Sequence, residues 1–593
     1  MSRLPPARRG PAHPPVPAPH VDAYLAGAMV GAAVVVGWVW LAGELAGWSS
    51  TGRWPPVPLA AAPSVASRLC RHLADPRSAW PPRVMPSLPG RWWFYGWGAA
   101  LGLPVLAAAL CWSGRRRRRS RRGARWARPA ELHRLRLPRR AAGAGRRLVL
   151  GRSSAGGMRV AVEERHSVLV IGPTQSGKTS GLAIPALLEW KGPAVATSVK
   201  DDLAATTLAW RSTLGPCSVF DPTGGSGVAA VSSWSPLSGC DGWSEAQRMA
   251  GWLVESTPGR RGMADAAFWY TAAAKQLAPL LLAAERAGLG MAEVVGWTDS
   301  DELGEPLRIL ETCGETDAAL ALAACAGRDE RIRSSVGTTL ETVLAPFEDP
   351  VVAASTARSD IDLAGVLEGN GTLYLCGPSH EQSRVQGLFA ALVSTVVSEA
   401  YRRVARSGRP LDPPLLIVLD EAANIAPVRD LDTLASTGSG LGIQLVTVCQ
   451  DLAQLAARYD NERARTIANN HRAKLLLSGV SDLATLDLVS GLAGEEAALE
   501  ESTSHDLRDG RRTRSVSTVH RRLAPSDELR RIPPGEGVLV YGHLPPARIL
   551  LRPWYSDRKL RRRAAAGAGQ VYDRRALLAR LGATRGGSPG IFG

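Results

Sequence analysis

The chain has 593 residues, 45% hydrophobic and 21% charged, with a formal net charge of +17. That composition supplies apolar material for two or three cores and excludes disorder along the whole length. The charge is unevenly placed, +20 over residues 1–150, −10 over 151–555 and +7 over 556–593. A basic front and tail therefore bracket a mildly acidic body, which excludes a uniformly basic nucleic-acid binder.

Only six of the 71 basic residues are lysine, so a lysine at a chemically demanding position stands out. The eight cysteines occur singly, without a CxxC pair. Zinc and dithiol chemistry have no support, and the thiols read as small buried hydrophobes of a reducing compartment, apart from Cys70, which the topology below puts outside the membrane.

Two charge-free runs open the chain, Ala23 to Gly43 and Trp92 to Gly114. Each is long enough to cross a hydrocarbon core of about 30 Å as a helix. Trp38, Trp40, Trp92, Trp93, Tyr95 and Trp112 sit within or at the ends of these runs, several where an interfacial aromatic belt is expected. Pro104 reads as a kink, and the Gly27/Gly31 and Gly98/Gly102 spacings let two helices approach closely. A cleaved secretory signal headed by Arg3, Arg8 and Arg9 fails on length, and export would carry the nucleotide site away from ATP.

Arg115 to Arg119 with Arg121 and Arg122 mark their side as cytoplasmic, although the 44–91 loop carries six arginines of its own. The expectation is a cytoplasmic segment 1–22, spans 23–43 and 92–114, an extracytoplasmic loop 44–91, and both ends inside. Residues 115–150 then read as a basic juxtamembrane linker that touches anionic lipid, in preference to a DNA-binding arm.

His166 to Ile171 is a short apolar run leading into Gly172-Pro173-Thr174-Gln175-Ser176-Gly177-Lys178-Thr179, followed by the apolar, helix-like stretch Ser180 to Trp190. This is G-x-x-x-x-G-K-[ST] between a strand and a helix. The glycines let the backbone wrap a phosphate with its N–H groups inward, Lys178 reaches the β- and γ-phosphates of ATP, and the Thr179 hydroxyl ligates Mg²⁺. Pro413 to Glu421 adds a buried apolar strand ending in two carboxylates. Asp420 would hold Mg²⁺ and Glu421 would polarise the attacking water.

A third strand, Ile443 to Cys449, ends in Gln450, placed either to sense the γ-phosphate or to cap the helix expected over Asp451 to Ala457. Further on, Asn469, Asn470, Arg472 and Lys474 precede a strand over Leu475 to Ser478, and one of these cations, Arg472 foremost, is the candidate to reach a neighbouring subunit's phosphate.

Strands expected at 194–198, 217–221, 372–376, 415–419, 443–449 and 474–478 alternate with helical segments, which predicts a doubly wound, mostly parallel α/β sheet. The ATPase core reads as 151–240 and 346–555, split by an all-helical insertion over 241–345 that includes Ala266 to Ala287 and Asp317 to Ala326; residues 556–593 read as a basic, partly disordered tail.

In Gly172 to Thr179, Ser198-Val-Lys-Asp-Asp-Leu203, Phe220-Asp-Pro222, Trp234-Ser-Pro-Leu237, Phe268-Trp269, Leu415 to Asn424, and Leu523 to Leu529 with Tyr541 to Pro546, the chain resembles the type IV coupling proteins, the TraG/TraD-type conjugative DNA-transfer ATPases, in their actinobacterial form. The last two segments resemble that family's TraM-recognition region.

The resemblance implies a RecA-like P-loop ATPase core behind a two-helix transmembrane anchor. It also implies a multi-pass protein of the bacterial plasma membrane with its ATPase in the cytoplasm, assembled as a homo-hexamer. ATP hydrolysis would drive relaxase-bound single-stranded DNA into a type IV secretion channel, with the helical insertion receiving the substrate. The competing readings are an FtsK-like DNA translocase, an ATP-binding recruitment scaffold and a protein-export ATPase of a type IV secretion system. The chain departs from some members in its C-terminal end, which is rich in arginine (Arg558 to Arg563, Arg574, Arg575) where those carry an acidic tail.

Overall fold

The computed structural model describes residues 21–119, 123–138, 145–198, 202–228, 231–257, 266–505 and 512–566. The expectations placed on Arg3, Arg8, Arg9, Arg121, Arg122, Lys200, Asp201, Arg574 and Arg575 lie outside the described residues. The chain divides into two units, 1–122 and 123–593.

In the first unit, the helices Val21–Thr51 and Arg91–Arg119 flank a segment of short helical turns. Glu44, expected to close the first span, does not end the helix; it is buried within it. Beside it Gly43 leaves no room for a Cβ against the Trp80 indole. Trp80 in turn meets Phe94 edge to face at 5.3 Å, in a small core with Val39, Val57, Val65 and Leu88. A single charge was a poor marker of the boundary because packing shields it. The stretch long and apolar enough to cross a membrane is Gly31–Thr51, with a mean hydropathy of 1.3, and it is the only one among the described residues. The second expected span, 92–114, lies in the helix Arg91–Arg119, which runs on through Pro104.

The second unit is built on an eleven-stranded sheet. Its strands are β1 (Val149–Ser153), β2 (Arg159–Ala161), β3 (Val168–Ile171), β4 (Ala194–Ser198), β5 (Cys217–Phe220), β6 (Thr372–Cys376), β7 (Leu415–Leu419), β8 (Ile443–Cys449) and β9 (Ala473–Leu477). After a separate hairpin of β10 (Glu495–His505) and β11 (Arg512–Arg522), it is completed by β12 (Glu536–Tyr541) and β13 (Ala547–Leu550). The spatial order is β2-β1-β13-β12-β9-β3-β8-β7-β4-β6-β5. From β9 to β5 every pairing is parallel; from β9 to β2 every pairing is antiparallel.

The central strands are apolar runs because helices cover both sheet faces. Every residue of β3, β4, β6, β7 and β8 is buried. Alternate residues divide between two cores. Leu169, Ile171, Leu415, Ile417 and Leu419 face the helix Gln382–Ser407 and the helical segment between β5 and β6. Val168, Val170, Leu416 and Val418 face Ile184–Glu189, Asp202–Arg211 and Arg558–Ala565. The segment between β5 and β6 contains the helices Trp243–Glu255, Ala266–Arg286, Met291–Asp299, Gly304–Thr312, Thr316–Ala326 and Glu330–Leu344, and no strand among the described residues.

Two expected boundaries differ from the structure. The linker expected over 115–150 belongs to the second unit from Gly123 onward: the Ala124 N–H donates to the Glu495 carbonyl (2.6 Å), the Ala127 N–H donates to the Pro546 carbonyl (2.8 Å), and the Arg548 guanidinium lies 4.8 Å over the Trp126 ring. The buried Ala127, Leu132, Leu135 and Leu137 drive this docking, and the surrounding arginines hid them from a reading by charge. The tail expected from 556 likewise begins as the helix Arg558–Ala565, with Leu560 and Ala564 buried and Arg563 stacked 4.7 Å over Trp210.

Candidate nucleotide site

Because β8 lies between β3 and β7, the segments that leave the C-terminal ends of these three parallel strands meet at one end of the sheet. Two backbone bonds lock them together. The Gly172 N–H donates to the Cys449 carbonyl at 3.1 Å, and the Ala422 N–H to the Val448 carbonyl at 3.0 Å.

After Gly172 the chain turns back on itself. A Cβ at Gly172 would lie 2.6 Å from the Ser176 Oγ and 3.0 Å from the Leu477 Cβ, so the loop closes only on glycine there. Gln175 (φ 66°) and Gly177 (φ 90°) both adopt the left-handed region, the conformation that points successive N–H groups into a concavity. Pro173 is half-buried and Thr174 and Gln175 are exposed at the loop tip.

Lys178 is 7% exposed and folds back so that its Nζ donates to the Gly172 carbonyl at 2.8 Å. An ammonium held by a backbone carbonyl, with two N–H donors left over, is positioned for phosphate oxygens.

Thr179 Oγ1 donates to Asp420 Oδ2 at 2.8 Å. Asp420 is 5% exposed, and its Oδ1 is buried with no hydrogen-bond partner in the protein. Burial pushes its carboxyl up to about 6, helped by Glu421 and Asp202 and opposed by the Thr179 hydrogen bond and by Lys178. A buried carboxylate oxygen without a partner, beside a hydroxyl, is the hard-oxygen donor set that suits Mg²⁺. The buried Ser176 Oγ also lacks a protein partner.

Glu421 is half-buried at φ 54°, a strained conformation for a residue with a Cβ and one that recurs where function demands it. Its Oε2 accepts from Asn424 Nδ2 at 3.4 Å. Asn424 was not singled out for a role in the sequence; its position three residues after Glu421, in the turn that follows the strand, was the available signal.

Gln450 leaves β8 between the phosphate loop and Asp420. It does not cap the next helix: Asp451 does, its side chain accepting the Gln454 N–H at 2.8 Å, while the Gln450 N–H donates to the Gln454 Oε1. Arg472 stands apart. It precedes β9, whose residue Ala473 pairs with Val168 at the start of β3, so within one chain it lies at the sheet end opposite Lys178, with Asn469, Asn470 and Lys474. Asp221, at the tip of β5, spends its carboxylate on its own loop, accepting from the Thr223 N–H and hydroxyl and from the Ser226 N–H.

Residues 126–573 match the family described as type IV secretory system conjugative DNA transfer. The conjugal transfer protein TraG of Escherichia coli is 28% identical over 410 residues, covering 62% of each chain. Protein VirD4 of Agrobacterium fabrum is 26% identical over 440 residues, 72% of this chain and 64% of that protein. The chain thus spans under two thirds of the length of these relatives. Among solved structures, the bacterial conjugative coupling protein TrwBdeltaN70 superposes with a TM-score of 0.56 over 73% of this chain and 93% of that one. The plasmid coupling protein TrwB in complex with ADP and Mg²⁺ superposes with a TM-score of 0.55 over 73% and 95%. Both are 19% identical to this chain and share its fold. With the family match running through the phosphate loop, the Asp420 strand and the antiparallel strands beyond, the chain belongs to the type IV secretory system conjugative DNA transfer family and is a type IV coupling protein.

Proposed function

We propose that this chain hydrolyses ATP at the site formed by Lys178, Thr179, Asp420 and Glu421, and that hydrolysis drives relaxase-bound single-stranded DNA into a type IV secretion channel. The observation that carries the reading is the buried Thr179–Asp420 contact, which leaves one carboxylate oxygen without a partner beside the lysine of a phosphate loop. Thr179 and Asp420 would hold Mg²⁺, which when bound supplies Lewis-acid polarisation of phosphoryl oxygens. The loop N–H groups from Pro173's successor to Thr179 orient the phosphates, and Lys178 neutralises their charge. The Glu421 carboxylate orients the attacking water and accepts its proton, held in place by Asn424. Gln450 stands where the γ-phosphate end is expected.

Arg472, remote from Lys178 within the chain, can serve only a neighbouring subunit, which ties its role to a ring such as a homo-hexamer. The N-terminal helices anchor the ring in the plasma membrane as a two-span hairpin with the ATPase in the cytoplasm, and the helices over 241–345 receive the DNA–relaxase substrate. The secretion channel is the downstream partner.

The test is Lys178→Ala in the full chain. Loss of ATP turnover and of DNA transfer, with the protein still in the membrane fraction, is the expected result. Undiminished turnover would sink the assigned site, and transfer that survives the loss of turnover would sink the coupling.

A further inference from the structure

The polarity of a bound triphosphate fixes where the rest of the nucleotide lies. Asp420, Glu421 and Gln450 follow β7 and β8, on one side of β3, and they mark the γ-phosphate end. The nucleoside therefore leaves the loop on the other side, toward β9, β12 and β13.

On that side the chain leaving β13 crosses the start of the helix that follows the phosphate loop. The Trp554 N–H donates to the Ser180 carbonyl at 3.0 Å. Leu551 packs against Gly177 and Gly181, where added Cβ atoms would lie 3.3 and 3.2 Å from its side chain. Ser180 is the residue after Thr179, so the crossing is adjacent to the backbone that cradles the α- and β-phosphates of a nucleotide in such a loop.

The crossing segment is clamped at both ends. The Leu551 N–H donates to the Gly535 carbonyl at 2.8 Å. Arg552, 7% exposed, donates through both Nη atoms to Glu189 (3.1 and 3.2 Å) and through Nη2 to Asp557 (2.7 Å). Between these clamps Trp554 is half-buried, while Tyr555 is 50% exposed and meets the Trp554 ring edge to face, centroids 5.9 Å apart. A fixed backbone thus holds a large aromatic ring half in solvent one residue beyond the crossing at Ser180, where a heteroaromatic base has a face to stack on.

We propose that Tyr555, backed by Trp554, is the platform on which the base of the bound nucleoside triphosphate stacks. The proposal rests on the reading of this site as a nucleoside triphosphate site. Stacking reads π-surface and not hydrogen-bonding edges, so the platform favours purines over pyrimidines without separating adenine from guanine.

The experiment measures equilibrium binding of a non-hydrolysable ATP analogue and of inorganic triphosphate to the full-length protein, as wild type, Tyr555→Ala and Tyr555→Phe. Tyr555→Ala is expected to weaken the ATP analogue by about tenfold or more and to leave triphosphate unchanged, while Tyr555→Phe keeps wild-type affinity; in turnover, KM rises and kcat holds. An unchanged affinity of Tyr555→Ala for the ATP analogue overturns the platform. Equal weakening of both ligands also overturns it, because the segment would then be propping the loop. A wild type that binds neither ligand overturns the nucleotide reading itself, and the platform with it.

Discussion

The Thr179 hydroxyl and the Asp420 carboxylate, 241 residues apart in sequence, are 2.8 Å apart at the C-terminal ends of central strands, and among the described residues this is the only side-chain hydrogen bond of the Asp420 carboxylate. On the proposed reading the contact would make Thr179 a metal donor, and it favours the ionised form of Asp420. Thr179→Ala is expected to cut ATP turnover at least about a hundredfold. Its Mg²⁺ dependence should flatten while Mg²⁺-free nucleotide binding survives; a magnesium titration of nucleotide affinity checks this, and an unaltered magnesium midpoint would refute it.

Glu421→Gln keeps the shape and the Asn424 contact but removes the base. Turnover is expected to fall by about 10²- to 10⁴-fold, with nucleotide affinity within about threefold of wild type, a change under 1 kcal/mol. Single-turnover kinetics beside equilibrium binding separates the two. A matching loss of affinity would mean that the residue holds the nucleotide and not the water.

Arg211 tests the scaffold. It is wholly buried, and its guanidinium donates to the carbonyls of Trp190 and Gly192 (2.7 Å each) and to the Thr372 hydroxyl (2.6 Å). It ties the start of β4 to the start of β6, and burial without a carboxylate partner pulls its pKa down. Arg211→Met leaves those acceptors buried and unpaired, at a cost on the order of 3 kcal/mol. Arg211→Lys, lacking the planar fork, should fall between. Chemical denaturation reads the difference, and a Met variant as stable as wild type would show that the cage rearranges around it.

His471 provides a pH signature. It is fully buried, in contact through Nδ1 with the Ile467 carbonyl (2.6 Å) and through Nε2 with the Thr447 hydroxyl (2.8 Å), and burial pushes its pKa down to about 4. An unfolded histidine titrates near 6.5, so between these values the unfolded chain binds the extra proton. The stability that the neutral ring contributes is complete above about pH 6.5 and is lost progressively as pH falls toward 4, in total on the order of 3 kcal/mol. His471→Gln should be less stable at pH 7.5 and show a flatter acid limb. An acid limb of wild-type steepness in that variant would assign the effect elsewhere.

The parallel half of the sheet was legible in the sequence because burial on both faces writes β3 and β7 as unbroken apolar runs and β4, β6 and β8 as mostly apolar ones. The antiparallel half was not. β13 alternates buried and exposed residues over only four positions, and the hairpin β10–β11 pairs Glu495 with Arg522 and Glu496 with Arg521 in strands rich in Ser, Thr, Glu and Arg, which carry no hydrophobic period. The meeting of Lys178, Thr179 and Asp420 was legible because a G-x-x-x-x-G-K-[ST] loop after one strand and carboxylates ending another put these residues at neighbouring strand ends. Arg472 shows a signal that was present and unused: a residue just before a strand sits at its N-terminal end, away from loops that follow strands. Tyr555 carried no sequence signal, because the proposed role rests on a backbone crossing, the Trp554 N–H to the Ser180 carbonyl, that no local pattern encodes.

The strand order also governs how the molecule is made. β3 lies between β8 and β9, and β1 pairs with β13, so a chain emerging from the ribosome N-terminus first holds its phosphate-loop strand without neighbours until β8 (Ile443–Cys449) and then β9 (Ala473–Leu477) have been synthesised. Nascent chains that stop short of β8 therefore lack the strand that joins the phosphate loop to Asp420. Such long-range closure is slow, which makes the unfinished second unit, with its bare apolar strands, the stage of this protein's life most exposed to aggregation.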